Sequence, residues 1–189
     1  NLDWKAKNER WKRWLTCSLC EQRYHGVVKC ALGWACWKTY LGRPQRDQTR
    51  SMAMIQLGNG ISSAGYDEDA LSVREATLSM LERLGASEKP ILDMQSNIAG
   101  TYDKLGRLEE ALPLRRDVYS GWVKMEGEEH RETLREANNY ATSLSRLQRF
   151  EEAKTLLRKT IPVARRVHGD SNHLTLVVRL NYVAALQED

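Results

Sequence analysis

A spacing of 42 residues recurs along most of this 189-residue chain. It separates three asparagines and, independently, three glycines: Asn97, Asn139 and Asn181, and Gly85, Gly127 and Gly169. A fixed period of this length indicates a repeat array, in which each unit packs mainly on its neighbours. We place the units at about residues 51–88, 89–131, 132–174 and 175–189.

Each unit reads as a pair of helices. In the second unit, apolar side chains at spacings of three and four share one helical face: Ile91, Met94, Ile98, Tyr102 and Leu105. Gly106 is suited to end this helix, because glycine tolerates positive φ angles. We expect the next helix to run from Leu108 to about Glu126. The short link between the two makes an antiparallel hairpin, so the sequence predicts an all-α fold with three hairpins and one extra helix after Thr175.

The repeated residues also carry a resemblance to a known family. The second and third units combine an Asn-(Ile/Tyr)-Ala segment, a Gly-Arg-x-Glu-Glu-Ala segment or a close variant, and a closing glycine. This pattern resembles the 42-residue tetratricopeptide repeat of the kinesin light chain family and covers about residues 50–189. The resemblance implies a tetratricopeptide α-α superhelix with a concave and a convex face. A HEAT array has a similar repeat length but lacks the Gly-Arg-x-Glu-Glu-Ala hairpin.

The same resemblance implies a concave groove lined by the first helix of each hairpin. Its main positions are Asn97, Lys104, Arg135, Asn138, Asn139, Arg146 and Asn181. Further positions are Asp93, Ser96, Gly100 and Thr142, with Asn59, Ser62 and Ser63 in the first unit. An Asn side chain offers a donor and an acceptor, as a peptide unit does, and the cations would favour acidic ligands.

The sequence therefore predicts a protein or peptide partner, bound as an extended and acidic segment. The alternative is that the asparagines brace neighbouring helices and that the charged side chains are solvated. In the first unit Gln56 stands where the pattern calls for Asn, which weakens the series at that end.

The first 50 residues differ in composition from the repeats. They carry 11 Lys/Arg against 4 Asp/Glu, and five of the six Trp lie in the first 37 residues. We divide the chain into a Cys/Trp-rich helical segment at 1–42, a linker at 43–49 and the repeat array at 50–189. Trp11 and Trp14 share a helical face with Trp4, and we expect this face to pack on the protein rather than on a membrane or nucleic acid.

All four cysteines lie between Cys17 and Cys36. A Cys-x-x-Cys pair is suited to zinc because two thiolates on one turn reach one metal, so Cys17 and Cys20 are the candidate ligands. His25 and Cys30 are weaker candidates for the remaining positions. Cys30 also shares an apolar helical stripe with Val27, Trp34 and Trp37, where a cysteine is expected to be part of a core.

A second resemblance covers residues 1–42. A Trp-rich helix, Cys17-x-x-Cys20, and then Gln22-x-Tyr24-x-Gly26 are similar to the last part of a RING-CH zinc finger. The resemblance implies that Cys17 and Cys20 are the final ligand pair, with the six other ligands expected before Asn1. Such fingers have no catalytic side chain and recruit a ubiquitin-conjugating enzyme, which we expect as a partner only where the full finger is present.

The function favoured by the sequence is a protein-interaction scaffold. The alternative is the substrate-recruiting part of a RING-CH E3 ubiquitin ligase whose finger is incomplete in this chain. No Ser/His/Asp set, Gly-rich phosphate loop or HExxH motif occurs, so we expect this chain not to be an enzyme. We also expect zinc as the single possible cofactor, no nucleic-acid partner and no transmembrane segment. Clustered cysteines without a signal peptide predict an intracellular, cytoplasmic protein.

Overall fold

The computed structural model describes Glu9 and residues 11–187. Eight helices begin and end within residues 26–187: α1 (Gly26–Tyr40), α2 (Gln48–Ser63), α3 (Asp67–Arg83), α4 (Glu88–Lys104), α5 (Leu108–Glu126), α6 (Arg131–Arg146), α7 (Phe150–His168) and α8 (His173–Gln187). The chain forms two compact units, residues 1–86 and residues 87–189. The first contains α1 to α3 and the second contains α4 to α8.

The helices pair as the 42-residue period predicts. The hairpins α2–α3, α4–α5 and α6–α7 follow one another, and α8 comes after them. At the α4–α5 turn Gly106 adopts a φ of 75°, and the Arg107 N–H donates to the Tyr102 carbonyl at 2.9 Å. This backbone bond closes the end of α4 and reverses the chain within three residues. The predicted bounds of the second helix, Leu108 and Glu126, are confirmed.

Alanines allow the helices of the second unit to approach closely. Ala99, Ala111, Ala141 and Ala153 are fully buried, and their small side chains fit where two helices are close. The main apolar cluster of this unit lies at its C-terminal end and includes Leu112, Leu144, Leu157 and Val178. Burying such side chains contributes about 1.5–3 kcal/mol each, so packing between neighbouring helices supplies most of the stability.

Helix α1 packs on α2 through backbone contacts that glycine permits. A Cβ atom on Gly33 would lie 2.9 Å from the Gln56 carbonyl oxygen, and one on Gly60 would lie 2.7 Å from that of Lys29. The sequence separates residues 1–42 from the repeats, whereas the structure groups α1 with the first hairpin in one compact unit. The physical reason is this close backbone approach, which the period does not reveal.

Two aromatic residues of the basic N-terminal segment pack on α1. The Trp11 and Trp14 rings lie 5.8 Å and 6.5 Å from the Tyr40 ring, between ring centroids. This confirms the expected packing for Trp11 and Trp14, while Trp4 lies outside the described residues. None of the helices in residues 11–187 combines the length and apolar character needed to cross a membrane.

The predicted apolar stripe of α1 is only partly buried. Cys30 and Trp37 pack against the cluster formed by Leu57, Ile61 and Ala70. This agrees with the expectation that Cys30 is part of a core. Val27 is 73% exposed and Trp34 46% exposed, so the outer edge of the stripe faces solvent.

Helix α8 exposes a second apolar face. Leu176, Leu180 and Val183 are all exposed, and Leu186 extends the face. Its opposite side is buried through Thr175, Val178 and Ala185. Within the described residues, α8 is therefore covered on one side only.

Candidate functional site

The groove residues predicted within residues 87–189, the second compact unit, lie on α4, α6 and α8. These are the first helices of their repeats. Asn97, Asn139 and Asn181 are half-buried, and Lys104, Arg135 and Arg146 are exposed. Asn138 is 8% exposed. The period thus places side chains of one chemical kind at equivalent positions of three helices, but with different access to a ligand.

Asn181 is held by polar groups of the preceding repeat. Its Nδ2 donates to Oδ1 of Asn138 at 2.8 Å and to Oγ1 of Thr142 at 3.2 Å. Both amide hydrogens are used in these bonds, so Oδ1 of Asn181 is the atom left to meet a ligand. Because Asn138 is buried, we expect it to position Asn181 rather than to contact a ligand, and its place in the groove stays a prediction.

A pocket of about 390 Å³ opens between α6 and α8. We refer to it as the α6–α8 pocket. It is lined by Thr142, Ser145 and Arg146 from α6, by Gln148 from the turn that follows, by Phe150 at the start of α7, and by Asn181, Ala184 and Ala185 from α8. Its lining combines an aromatic ring, small apolar groups, an amide and a guanidinium. This is the composition expected of a site that takes one side chain together with neighbouring polar groups.

Glu136 is a fully buried carboxylate beneath the groove. It accepts hydrogen bonds from Oγ of Ser96 at 2.9 Å, from Nη2 of Arg135 at 2.9 Å and from Nδ2 of Asn139 at 3.2 Å. These bonds satisfy a charge that would otherwise be costly to bury. They also fix the orientation of Asn139, whose Oδ1 and second N–H remain directed away from Glu136.

Arg115 of α5 is the cationic partner that sequence reasoning missed. Its side chain is 8% exposed, and its Nη2 lies 2.8 Å from Oδ2 of Asp103 and its Nη1 3.6 Å from Oε2 of Glu136. Asp103 also pairs with Arg146 at 3.3 Å and accepts from Oγ of Ser143 at 3.2 Å. The sequence does contain a sign of this buried ion pair, since Arg115 is a charged residue in an apolar helical stripe. It lies between Ala111 and Val118, which are both buried.

The two groove arginines are already paired within the protein. Arg135 binds Glu132 and Glu136, and Arg146 binds Asp103. Their side chains are nonetheless 46% and 42% exposed. A guanidinium has five N–H donors, so each can bind a ligand carboxylate while keeping its internal partner.

Asp93 lies on α4 among these charges. Burial raises the pKa of its carboxyl above the ordinary 3.8, Glu132 and Glu136 raise it further, and Lys89 and Arg135 oppose the shift. The carboxylate form is therefore disfavoured in the folded state relative to the unfolded chain. Asp93 reduces the positive character of this end of the groove.

In the first unit, the predicted groove residues have partners inside the protein. Oδ1 of Asn59 accepts from Arg74 at 3.2 Å, and Oγ of Ser62 donates to Asp67 at 2.7 Å. Oγ of Ser63 accepts from the Gly26 N–H at 2.9 Å, at the start of α1. These side chains hold the first hairpin and α1 together, and the candidate site is therefore confined to the second unit.

Cys17 and Cys20 lie on a tight turn before α1. The Cys17 N–H donates to the Gln22 carbonyl and the Glu21 N–H to the Cys17 carbonyl, both at 2.9 Å. Backbone N–H groups of Cys20 and Leu19 bind the Cys17 sulfur and lower the pKa of its thiol below 9.0, and the Tyr24 hydroxyl also contributes. This turn suits a thiolate that binds a metal.

The weaker zinc candidates are placed differently. Cys30 packs on the apolar cluster of the first hairpin, and His25 precedes α1 with an exposed side chain. Among Glu9 and residues 11–187, no three His, Cys, Asp or Glu side chains are grouped so that they could hold a metal ion. Cys17 and Cys20 are thus brought together without the other two ligands that a closed zinc site needs.

Comparison with known proteins supports the repeat assignment. Residues 90–162 match the family model of the tetratricopeptide repeat. A comparison of the sequence with curated proteins gives no significant match. The chain thus contains tetratricopeptide repeats, and the match favours this repeat over HEAT.

Solved structures share the fold. The chain is similar to a protein from Podosopora anserina assigned as a kinesin light chain with nearly identical TPR-like repeats, with a TM-score of 0.73 and 17% identity, covering 84% of this chain and 76% of that one. It is similar to BtubC (BKLC) from P. vanneervenii, with a TM-score of 0.72 and 18% identity, covering 85% of this chain and 65% of that one. The all-α tetratricopeptide fold and the structural likeness to kinesin light chain repeats are confirmed. The RING-CH resemblance of residues 1–42 stays a prediction.

Proposed function

We propose that this chain is a protein-interaction scaffold whose repeats in residues 87–189 hold an extended peptide segment of another protein. The observation that supports this most strongly is the α6–α8 pocket, where Asn181 and Arg146 lie beside apolar groups. A peptide side chain would occupy the pocket, and the polar groups at its edge would bind the adjacent peptide units. The proposal assigns no reaction to the repeats.

The asparagines supply the contacts to the peptide backbone. Oδ1 of Asn181 would accept from a peptide N–H, since its two amide hydrogens are bound to Asn138 and Thr142. Asn139 would use its second N–H to donate to a peptide carbonyl, while Glu136 holds the first. Because these hydrogen bonds go to the backbone of the peptide, which is the same in every sequence, the groove would hold peptides of many sequences in one register.

Arg146 gives a preference for acidic segments. It lines the α6–α8 pocket, and its ion pair with Asp103 leaves further guanidinium N–H groups for a carboxylate. Such charges contribute mainly to selectivity and to the rate of association. Neutral segments would also bind, because Arg135 and Arg146 are both partly neutralised by internal carboxylates.

The test is binding of fluorescent peptides selected from an extended-peptide library, measured for the parent chain and five variants. Asn139→Ala and Asn181→Ala should weaken binding of every selected peptide about five- to tenfold. Arg146→Glu should weaken the binding of acidic peptides and leave the binding of neutral peptides unchanged. Thr155→Ala and Lys159→Glu on α7 serve as exposed controls. Equal affinities for the parent chain and the α6 and α8 variants would overturn the proposal.

A second candidate function rests on the turn at Cys17. We propose that Cys17 and Cys20 supply two of the four ligands of a zinc site, in a finger of the kind that supports ubiquitin transfer. The lowered pKa of Cys17 supports a metal-binding thiolate. Zinc in such a closed site contributes folding free energy rather than chemistry. The remaining ligands would come from outside the described residues.

Zinc content measured by mass spectrometry tests this second candidate. A version of the protein extended before Asn1 should bind zinc in whole-number stoichiometry and lose one equivalent in Cys17→Ser. The matched control is Cys36→Ser, because Cys36 is fully buried in α1. Zinc binding that Cys17→Ser leaves unchanged would exclude these ligands. Ubiquitin transfer by the zinc-loaded protein would then separate the ligase from a purely structural finger.

A further inference from the structure

An apolar pocket of about 480 Å³ lies in the first unit, residues 1–86. Cys30 and Trp34 of α1 form one wall, and Tyr66 and Val73 form the other, at and after the start of α3. Ile61 of α2 forms the floor. We refer to this feature as the α1–α3 pocket. A volume of this size is typical of sites that take several large side-chain groups.

The floor and one wall of this pocket are firmly held. Ile61 is 4% exposed and belongs to the same apolar cluster as Leu57 and Ala70. Gly33 and Gly60 bring the backbones of α1 and α2 into contact. The pocket is therefore part of the packed structure, and ligand binding would carry no large free-energy cost for ordering it.

Both walls carry aromatic rings that face solvent. Trp34 is 46% exposed and Tyr66 is 59% exposed. Val27 continues the wall along α1, since it precedes Cys30 by three residues and Trp34 by seven. Seven residues of helix span about 10 Å, two turns of a partner helix. Large exposed apolar side chains on a firm groove mark a protein-interaction surface.

The edge of the pocket is acidic. Asp69 lines it and is exposed, and the first turn of α3 also contains Asp67 and Glu68. Within the described part of the chain, Asp69 forms no ion pair. A ligand that places a cation beside its apolar anchor would gain this charge partner, whereas a ligand with a carboxylate there would be repelled.

From these features we infer that the α1–α3 pocket binds an amphipathic helix of a partner protein, with large apolar side chains on one face and a Lys or Arg at its edge. The two helices α1 and α3 flank the partner helix, and α2 lies beneath it. This is the helix-in-groove mode of recognition, with anchors at i, i+3 or i+4, and i+7. The site is independent of the extended-peptide groove in residues 87–189.

Two labelled synthetic helices test the inference by fluorescence polarisation with the whole chain. Both carry leucines at i, i+3, i+4 and i+7, and they differ in one edge residue, which is lysine in one and glutamate in the other. The lysine peptide should bind saturably and more tightly than the glutamate peptide. Trp34→Ala should weaken binding of the lysine peptide about tenfold or more, as expected when an aromatic side chain central to the contact is removed. Asp69→Lys should reverse the preference between the two peptides.

Matched controls keep the result interpretable. Leu176→Ala removes an apolar side chain of similar exposure on α8, 44% against 46% for Trp34, and Glu82→Lys reverses an exposed charge elsewhere on α3. Neither should change binding, and circular dichroism should show all variants folded. The inference is overturned if neither peptide binds saturably, if Asp69→Lys leaves the preference unchanged, or if the controls lose binding equally. Concentration-dependent self-association that Trp34→Ala abolishes would also overturn it, because the occupant would then be a second copy of the chain.

Discussion

Gln148 occupies the turn position that Gly106 occupies one repeat earlier, and both backbones are left-handed, with φ angles of 59° and 75°. The Arg149 N–H closes the turn on the Leu144 carbonyl at 2.9 Å, as Arg107 does on Tyr102. A residue with a Cβ atom pays about 1–2 kcal/mol for this conformation. The α6–α7 turn therefore contains a residue, Gln148, whose side chain disfavours the left-handed backbone conformation that the turn requires.

Gln148→Gly should stabilise the protein by about 0.5–1 kcal/mol, because part of the relieved strain is offset by the entropy of glycine in the unfolded chain. Gly106→Ala should destabilise it by about 1 kcal/mol, since no atom lies within 4 Å of the added Cβ and the backbone conformation alone is penalised. Urea unfolding at constant m-value measures both. A loss of stability in Gln148→Gly would contradict the account of this turn.

Arg115→Met should destabilise the protein by about 1.5–3 kcal/mol, because it removes the buried cation between Asp103 and Glu136 and leaves each carboxylate with one partly exposed arginine. Arg116→Met is the matched control: that side chain is 61% exposed and should change stability by less than about 0.5 kcal/mol. Thermal and denaturant unfolding compare the two. Equal small effects would show that Arg115 does not compensate these charges.

Asn138→Ala should weaken peptide binding nearly as much as Asn181→Ala, although Asn138 itself does not reach the ligand. The reason is that Asn138 holds the Asn181 amide through the 2.8 Å bond. A double-mutant cycle on binding should give a coupling of about 0.5–1.5 kcal/mol. Additive effects would indicate that the two asparagines act separately.

Asp93→Asn should stabilise the protein at neutral pH and have no such effect below about pH 3.8, the ordinary carboxyl pKa. The pKa of Asp93 is raised on folding, so the folded state binds the extra proton more tightly and stability falls as pH rises through the folded pKa. Asn lacks this titration. Unfolding curves for both proteins across the acidic range provide the test, and a gain that persists at low pH would assign it to another cause.

The repeat period was sufficient to predict the helical hairpins, because turn chemistry and apolar spacing are local properties of the sequence. Leu108 and Glu126 mark the ends of α5 as expected. The pairing of Arg115 with Asp103 and Glu136 was not predictable in this way. A charge in an apolar stripe shows that a partner must exist, but not which helix supplies it.

The candidate site was predicted in outline only. Sequence spacing selected Asn139 and Asn181 but could not separate them from Asn138, which lies one residue from Asn139 and turns inward. Likewise, sequence spacing placed Trp34 on an apolar stripe of α1 but could not show that this side chain is 46% exposed. Both distinctions depend on side-chain direction in the packed structure.

The ionic contact between Arg115 and Glu136 has an apolar counterpart one period later. Adding 42 to each position gives Leu157 and Val178, which are both fully buried in one apolar cluster. If two repeat units were exchanged in frame, Arg115 would meet an aliphatic side chain, and Glu136 would keep Arg135 but lose Arg115. The interfaces of this array are therefore distinct from one another, and the order of the units along the chain is encoded in the residues that join them.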